Sequence, residues 1–402
     1  MKTVAIAGTF DSKGKEFLFI KELFEEIGIK TFTVHTGTFQ PLFTPDVSNQ
    51  EVAAEAGENL SEIVERKDRA RATAVMSRGT EKIIPRLYEE GKFDGIFSLG
   101  GSGGTSIIAP AMRRLPIGVP KIVVSTMASG NTEQYVGTSD VILIPSIVDV
   151  AGLNIISTRI FSNAVFAMAG MLEHRMNKSV DKKPLVAATM FGVTTPCIDF
   201  AKEYLESQGY EVLVFHATGT GGRTMESLIH SGYFKGVLDL TTTEWCDELF
   251  GGVLNAGPHR CEAAGLCGIP QVVSVGACDM VNFGPWDTVP KEYQGRNLYR
   301  HNPTVTLMRT TVQENEILGK KLAEKFNLAK GKTALFLPLK GVSMIDAEGQ
   351  PFYGPEEDRM LFDMLRKNIN RDVVQLYETN CLINDREFAI AAAKKLVEMM
   401  EK

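Results

Sequence analysis

Residues 2–14, KTVAIAGTFDSKG, decide the fold. An apolar, β-branched run from Thr3 to Ala7 stops at Gly8, and a polar turn follows. Phe17, Ile20, Phe24 and Ile27 then recur at helical spacing, and Gly28 closes that helix. Lys30 to His35 reads as a second strand. Strand, loop, helix and strand in that order open a parallel α/β sheet.

The same order returns after Lys183. Pro184 to Met190 reads as a strand, Cys197 to Gly209 as a helix and Glu211 to His216 as the next strand. The stretch EIGIKTFTVHTGT at 26–38 matches SQGYEVLVFHATGT at 207–220. GKFDGIFSL at 91–99 matches GYFKGVLDL at 232–240, and VPKIVVS at 119–125 matches IPQVVSV at 269–275. Three matches in one order mark an internal repeat. The expected fold is α/β, with two similar Rossmann-like lobes, each a mainly parallel sheet flanked by helices. A nucleotide-binding domain is expected over residues 1–180. A second domain, on the substrate or partner side, is expected over residues 181–402. The first lobe carries an insert with one helix-like stretch, Asn49 to Ala70. Leu153 to His174 reads as its closing helix, and the second lobe ends with a strand, Thr333 to Leu337, and a helix, Asp385 to Glu401.

Three loops of the first lobe follow predicted strands, where open α/β sheets place their ligands. In the first, Thr9, Asp11, Ser12, Lys13 and Gly14 join a strand to a helix whose N-terminus favours an anion. Lys13 can pair with a phosphate, and Asp11 can hold Mg²⁺ directly or through water. This is not a Walker A loop, because Glu16 stands where that motif needs Ser or Thr. The second, Gly100, Gly101, Ser102, Gly103, Gly104 and Thr105, has four glycines in six positions and lets the main chain approach a ligand closely. The third offers small polar groups at Thr126, Met127, Ser129, Gly130 and Asn131. A dinucleotide fold would want a carboxylate at the end of the second strand. That strand ends in His35, Thr36 and Gly37, so ATP is favoured over NAD.

The matching strand ends of the second lobe carry reactive side chains. His216, Asp239, Glu244 and His259 are candidates for acid–base work. Thr218, Gly219, Arg223, Thr241 and Arg260 are candidates for holding a carboxylate or phosphate. No thiol metal site is assigned, since the six cysteines form no C-x-x-C pair. Their apolar or glycine-rich surroundings suit a reducing compartment.

Composition narrows the function classes. A net charge of −6 argues against a nucleic-acid partner. Met1 and Lys2 run directly into a strand, so no signal peptide is read, and no apolar run reads as long enough to span a bilayer. A cytoplasmic location without a membrane partner is expected.

Taken together, residues 9–14, 100–105 and 127–132 resemble the Tm-one-like ATP-binding domain family, an uncharacterised family that includes the amino-terminal half of the tomato mosaic virus resistance protein. The resemblance extends over the chain, including residues 255–260 and 378–385. It implies two Rossmann-like domains, ATP with Mg²⁺ in the first, and a homodimer. It supplies no reaction. The residues themselves suggest an ATP-dependent transferase or ligase acting on a small polar acid or phosphorylated metabolite; the alternative is a non-catalytic, ATP-regulated binding protein.

Overall fold

Residues 2–174 and 183–401 are described in the computed structural model of the chain. They fall into two units, Met1–Lys178 and Ser179–Lys402. The expected boundary at residue 180 lies outside the described residues.

The first unit has five strands: β1 Thr3–Gly8, β2 Lys30–His35, β3 Gly95–Gly100, β4 Lys121–Ser125 and β5 Ile142–Pro145. They lie side by side in the order β2-β1-β3-β4-β5, and every neighbouring pair is parallel. The helices are α1 Gly14–Glu26, α2 Asn49–Glu55, α3 Leu60–Glu65, α4 Arg69–Glu89, α5 Ser102–Arg113, α6 Glu133–Val136 and α7 Ile155–Glu173. Crossover helices cover both faces of a parallel sheet, so its strands are apolar throughout. Ala5 and Ala7 of β1 pack into one core with Ile83 and Ile108, while Val4 and Ile6 pack into another with Phe24, Phe97 and Val165. The chain leaves β1 toward β2 on one side and returns to β3 on the other. The point between β1 and β3 is the topological switch, where such sheets open a crevice at the strands' carboxyl ends.

Two expectations need correction here. The stretch from Asn49 to Ala70 is not one helix. It breaks near Gly57 and Lys67, both with positive φ, and Ser48, Asn59 and Asp68 each cap a new helix. By length and composition α7 is long and apolar enough to cross a membrane, contrary to the sequence expectation. One face of it, Phe161, Val165, Met168 and Leu172, is packed into the core of the first unit.

The second unit has β6 Leu185–Met190, β7 Glu211–His216, β8 Phe234–Thr241, β9 Gln271–Gly276, β10 Met280–Phe283, β11 Leu298–Asn302, β12 Val305–Arg309, β13 Thr333–Pro338 and β14 Val374–Thr379. Its helices are α8 Thr195–Ser207, α9 Thr220–His230, α10 Glu244–Phe250, α11 Ala263–Leu266, α12 Val312–Phe326, α13 Pro355–Asn368 and α14 Arg386–Glu401. The main sheet runs β7-β6-β8-β9-β13-β14, all parallel, which is the order of the first unit with one strand added. The repeat also holds in the backbone. Gly28 and Gly209 have φ of +82° and +88°, and Gly91 and Gly232 have +71° and +76°. Between β9 and β13 the chain inserts an antiparallel sheet, β10-β12-β11, which the sequence reading did not foresee. All six cysteines are free thiols.

Candidate functional site

A cavity of about 770 Å³ opens at the β1/β3 switch of the first lobe. Thr9, Asp11, Ser12 and Lys13 after β1, Thr36 to Phe39 after β2, and Gly100 to Gly104 after β3 line it. The insert helices supply the remaining wall, with Ile63 and Val64 from α3 and Ala72 and Met76 from α4. The strand-end loops thus give a polar, glycine-rich lining, and the insert adds apolar side chains together with Lys67, Asp68, Arg69 and Thr73.

The polar lining is built around two helix N-termini. Neither α1 nor α5 has a side-chain cap, and their N-cap residues are Lys13 and Gly101. The four other helices of this lobe longer than a single turn are capped, by Ser48, Asn59, Asp68 and Asn154. The first N–H groups of a helix have no partner within it. At α1 and α5 they are left to whatever enters the cavity, and the helix dipole favours an anion there. A Cβ built on Gly103 would meet nothing closer than the Arg69 Nη2 atom at 3.9 Å, so this glycine keeps the backbone bare toward the cavity. Lys13, Lys67 and Arg69 also line it, and among the described residues none of the three has an ion-pair partner.

The loops are braced against each other. The Asp11 carboxylate accepts N–H bonds from Ser12 at 2.7 Å and Phe39 at 2.9 Å, tying the β1 loop to the β2 loop. The carboxylate that the sequence offers to magnesium thus already accepts one N–H on each oxygen. His35 is fully buried. Its Nδ1 atom accepts from the Phe10 and Gly37 N–H groups, and its Nε2 atom lies 2.9 Å from the Phe39 carbonyl. A proton on Nε2, with Nδ1 as acceptor, satisfies these three contacts. The β1 and β2 loops therefore hold their shape without a ligand.

Several first-lobe expectations change. The third loop does not line the cavity: Thr126–Ser129 forms a 3₁₀ turn capped by Ser125, and Met127, Gly130 and Asn131 stay with it. Thr105 is fully buried and bonded to Gly101 and Ser125, so it fixes the loop rather than facing a ligand. Gly14 is buried, where a Cβ would strike Leu42 at 2.5 Å. In place of these residues the cavity gains Lys67, Arg69 and Asp149. Sequence reasoning missed all three because the insert and the β5–α7 loop carry no glycine-rich signature.

The second lobe treats the same strand ends differently. Arg260 is buried and bonds Asp239 at 2.5 and 2.7 Å and Glu244 at 2.6 Å. Glu244 in turn accepts the N–H groups of Gly219 at 2.7 Å and Gly222 at 3.1 Å, around the N-terminus of α9. Thr189 bonds Asp239, and Thr194 meets Thr241, across the β6/β8 switch. Burial opposes the charge on Arg260, but Asp239 and Glu244 outweigh it and hold the guanidinium protonated. The expected catalytic group is therefore not brought together. Asp239 and Glu244 are sealed around Arg260. His216 is exposed at the end of β7 beside Phe191, and His259 is exposed and bonds Glu262. Of the expected substrate ligands, Arg260 and Thr241 are buried, Gly219 is spent on Glu244, and the Thr218 hydroxyl turns back onto the His216 carbonyl. Arg223 bonds the Asn255 carbonyl and Thr220. A cavity of about 700 Å³ in this lobe lies at the opposite, amino-terminal end of its sheet, beside Lys235, Lys332 and Arg371.

Comparison with known proteins gives a family. Residues 2–177 match the N-terminal domain and residues 183–400 the C-terminal domain of the Uncharacterised protein family (UPF0261). A UPF0261 protein of Clostridium tetani is 56% identical over 402 residues, covering all of both chains. One from Rhizobium meliloti is 44% identical over 98% of each chain. The ToMV resistance protein Tm-1(GCR237) of Solanum lycopersicum is 47% identical over 342 residues, which are 83% of this chain and 45% of the tomato protein.

Proposed function

This chain belongs to the uncharacterised protein family UPF0261, and we propose that its first lobe binds ATP with Mg²⁺. One observation carries the reading. Two uncapped helix N-termini, three cations with no ion-pair partner among the described residues, and apolar side chains of the insert line one 770 Å³ cavity at the switch point of a parallel sheet. A triphosphate suits the bare N–H groups and the cations, and a flat base suits the apolar side chains. The Gly101–Gly104 backbone and Lys13 would take phosphate oxygens, with Lys67 and Arg69 closing over them. Ile63, Ala72 and Met76 would cover the base. The absence of a carboxylate at the end of β2 supports a mononucleotide over NAD.

Beyond binding, the geometry favours an ATP-regulated binding protein over a transferase or ligase. The acid–base set read from the sequence is partly consumed in a buried ion-pair cluster, and a catalytic group must reach its ligand. An enzyme acting on a small polar acid would have to draw its acid and base from the first-lobe cavity itself. Calorimetry with ATP, ADP and NAD tests the reading. Saturable ATP or ADP binding that Gly103→Val abolishes is expected, and tight NAD binding without ATP binding would overturn it.

A further inference from the structure

Three carboxylates line the first-lobe cavity: Asp11, Asp68 and Asp149. Two are committed. Asp11 accepts two backbone N–H groups, and Asp68 caps α4 through the Arg71 N–H at 3.0 Å. The Asp149 side chain has no hydrogen-bonding or ion-pair partner among the described residues. It sits on the loop between β5 and α7, and that loop is anchored at two points. The Gly152 N–H donates to the Glu16 carboxylate at 2.5 Å, and Glu16 belongs to the first turn of α1. The Ser146 N–H donates to the Ser125 carbonyl at the end of β4. Asp149 therefore lines the cavity from a loop anchored to the first turn of α1 and to the end of β4, the strand beside β3.

A free carboxylate in an anion-binding cavity is unfavourable unless a cation joins it. Lys13, Lys67 and Arg69 offer positive charge, yet none pairs with Asp149. Among the described residues no group of three His, Cys, Asp or Glu could hold a metal on its own. Mg²⁺ commonly binds in the other way, through one or two carboxylates, several waters and the phosphates of its nucleotide. The hydroxyls of Thr9 and Ser12, 2.9 Å apart on the rim of the same cavity, suit the waters of such an ion.

Resting on the nucleotide reading of this cavity, we propose that Asp149, and not Asp11, is the carboxylate through which the site takes the divalent cation that arrives with the phosphates. The Asp149 side chain is exposed and has no bonding partner among the described residues, so Asp149→Asn removes charge without disturbing the fold. The test is titration calorimetry of the full chain with ATP, in Mg²⁺ and in EDTA, paired with Mn²⁺ binding followed by electron paramagnetic resonance. Wild-type protein should bind ATP more tightly with Mg²⁺ than without. Asp149→Asn should lose about tenfold in the Mg²⁺ arm. In EDTA it should bind ATP as well as wild type or better, because a negative charge beside the phosphates is gone. It should also retain less Mn²⁺ in the presence of ATP, at an unchanged melting temperature. An Asp149→Asn variant that keeps the wild-type ratio between the two arms and the wild-type Mn²⁺ signal overturns the assignment. Wild-type protein that binds no nucleotide in either arm overturns the reading of the cavity itself, which is a separate and recognisable result.

Discussion

The two lobes share one strand order and use the same place in opposite ways. At the first switch point, Gly103 has no Cβ and the space it leaves is open cavity. At the second, Glu244 stands after β8 at the repeat position of Gly103, and its carboxylate fills the space beside Gly222, with an oxygen 2.2 Å from where a Cβ would sit. The α1 and α5 N-termini carry no side-chain cap, whereas the N–H groups around the start of α9 already hold the Glu244 carboxylate. In the first lobe Lys13, Lys67 and Arg69 have no ion-pair partner among the described residues. In the second Arg260 is surrounded by Asp239, Glu244 and Glu226. The comparison teaches that a parallel sheet offers an anion site wherever its helices begin, and that local side chains decide whether a ligand or the chain itself occupies it.

The largest expected effect comes from breaking the second lobe's internal substitute. Arg260→Ala leaves buried carboxylates without their cation, which typically costs about 3–5 kcal/mol. Urea unfolding should show that loss in the second lobe, and a loss below about 1 kcal/mol would mean the cluster is not held by charge. Gly222→Ala should cost roughly 1–3 kcal/mol, since the new methyl collides with Glu244. Nucleotide affinity of the first lobe should stay unchanged in that variant when measured by calorimetry. A parallel loss of affinity would break the contrast.

This contrast was only half legible in the sequence. The alternation of apolar runs and helical spacing, with glycine punctuation repeated at Gly28 and Gly209, carried the strand order, because both are local signals. The glycine-rich loop after β3 was equally plain. The sealing of Asp239 and Glu244 by Arg260 was not, since it depends on a residue 16 or more positions away folding back beneath the strand ends. A reactive residue type at a strand end reads the same whether it faces solvent or an internal partner. The antiparallel insert β10–β12 was missed because its short strands follow β9 without a strong turn signal. Asp149 and Lys67 were missed because nothing in their neighbourhoods marks a loop as functional until the fold brings it to the cavity.

Smaller effects sharpen the comparison. Lys13→Ala should weaken ATP binding about tenfold or more, the worth of one charge-assisted contact of roughly 1.5–3 kcal/mol. Equilibrium titration would show it, and an unchanged affinity would remove Lys13 from the site. Stability should also depend on pH differently in the two lobes. Burial pushes Asp247 of the second lobe up to about 8 from an ordinary 3.8. A raised acid pKa means that the folded state keeps a proton the unfolded state releases, so stability falls as pH rises from about 4 through about 8. In the first lobe burial lowers the pKa of Lys121, which acts in the opposite sense. Between pH 6 and 9 the second lobe should lose stability relative to the first, by roughly 2–3 kcal/mol from Asp247. Hydrogen exchange resolved by lobe would detect it, and a second lobe that gains protection at pH 9 would contradict it.

Calorimetric titration of ATP with Mg²⁺ into wild-type protein and Gly103→Val tests the contrast between an open and a filled switch point most directly. The open first site predicts saturable binding of one nucleotide per chain, lost in the valine variant with its melting temperature kept. Binding that survives Gly103→Val, or two nucleotides per chain, would place a ligand where the second lobe is already filled and would contradict the account.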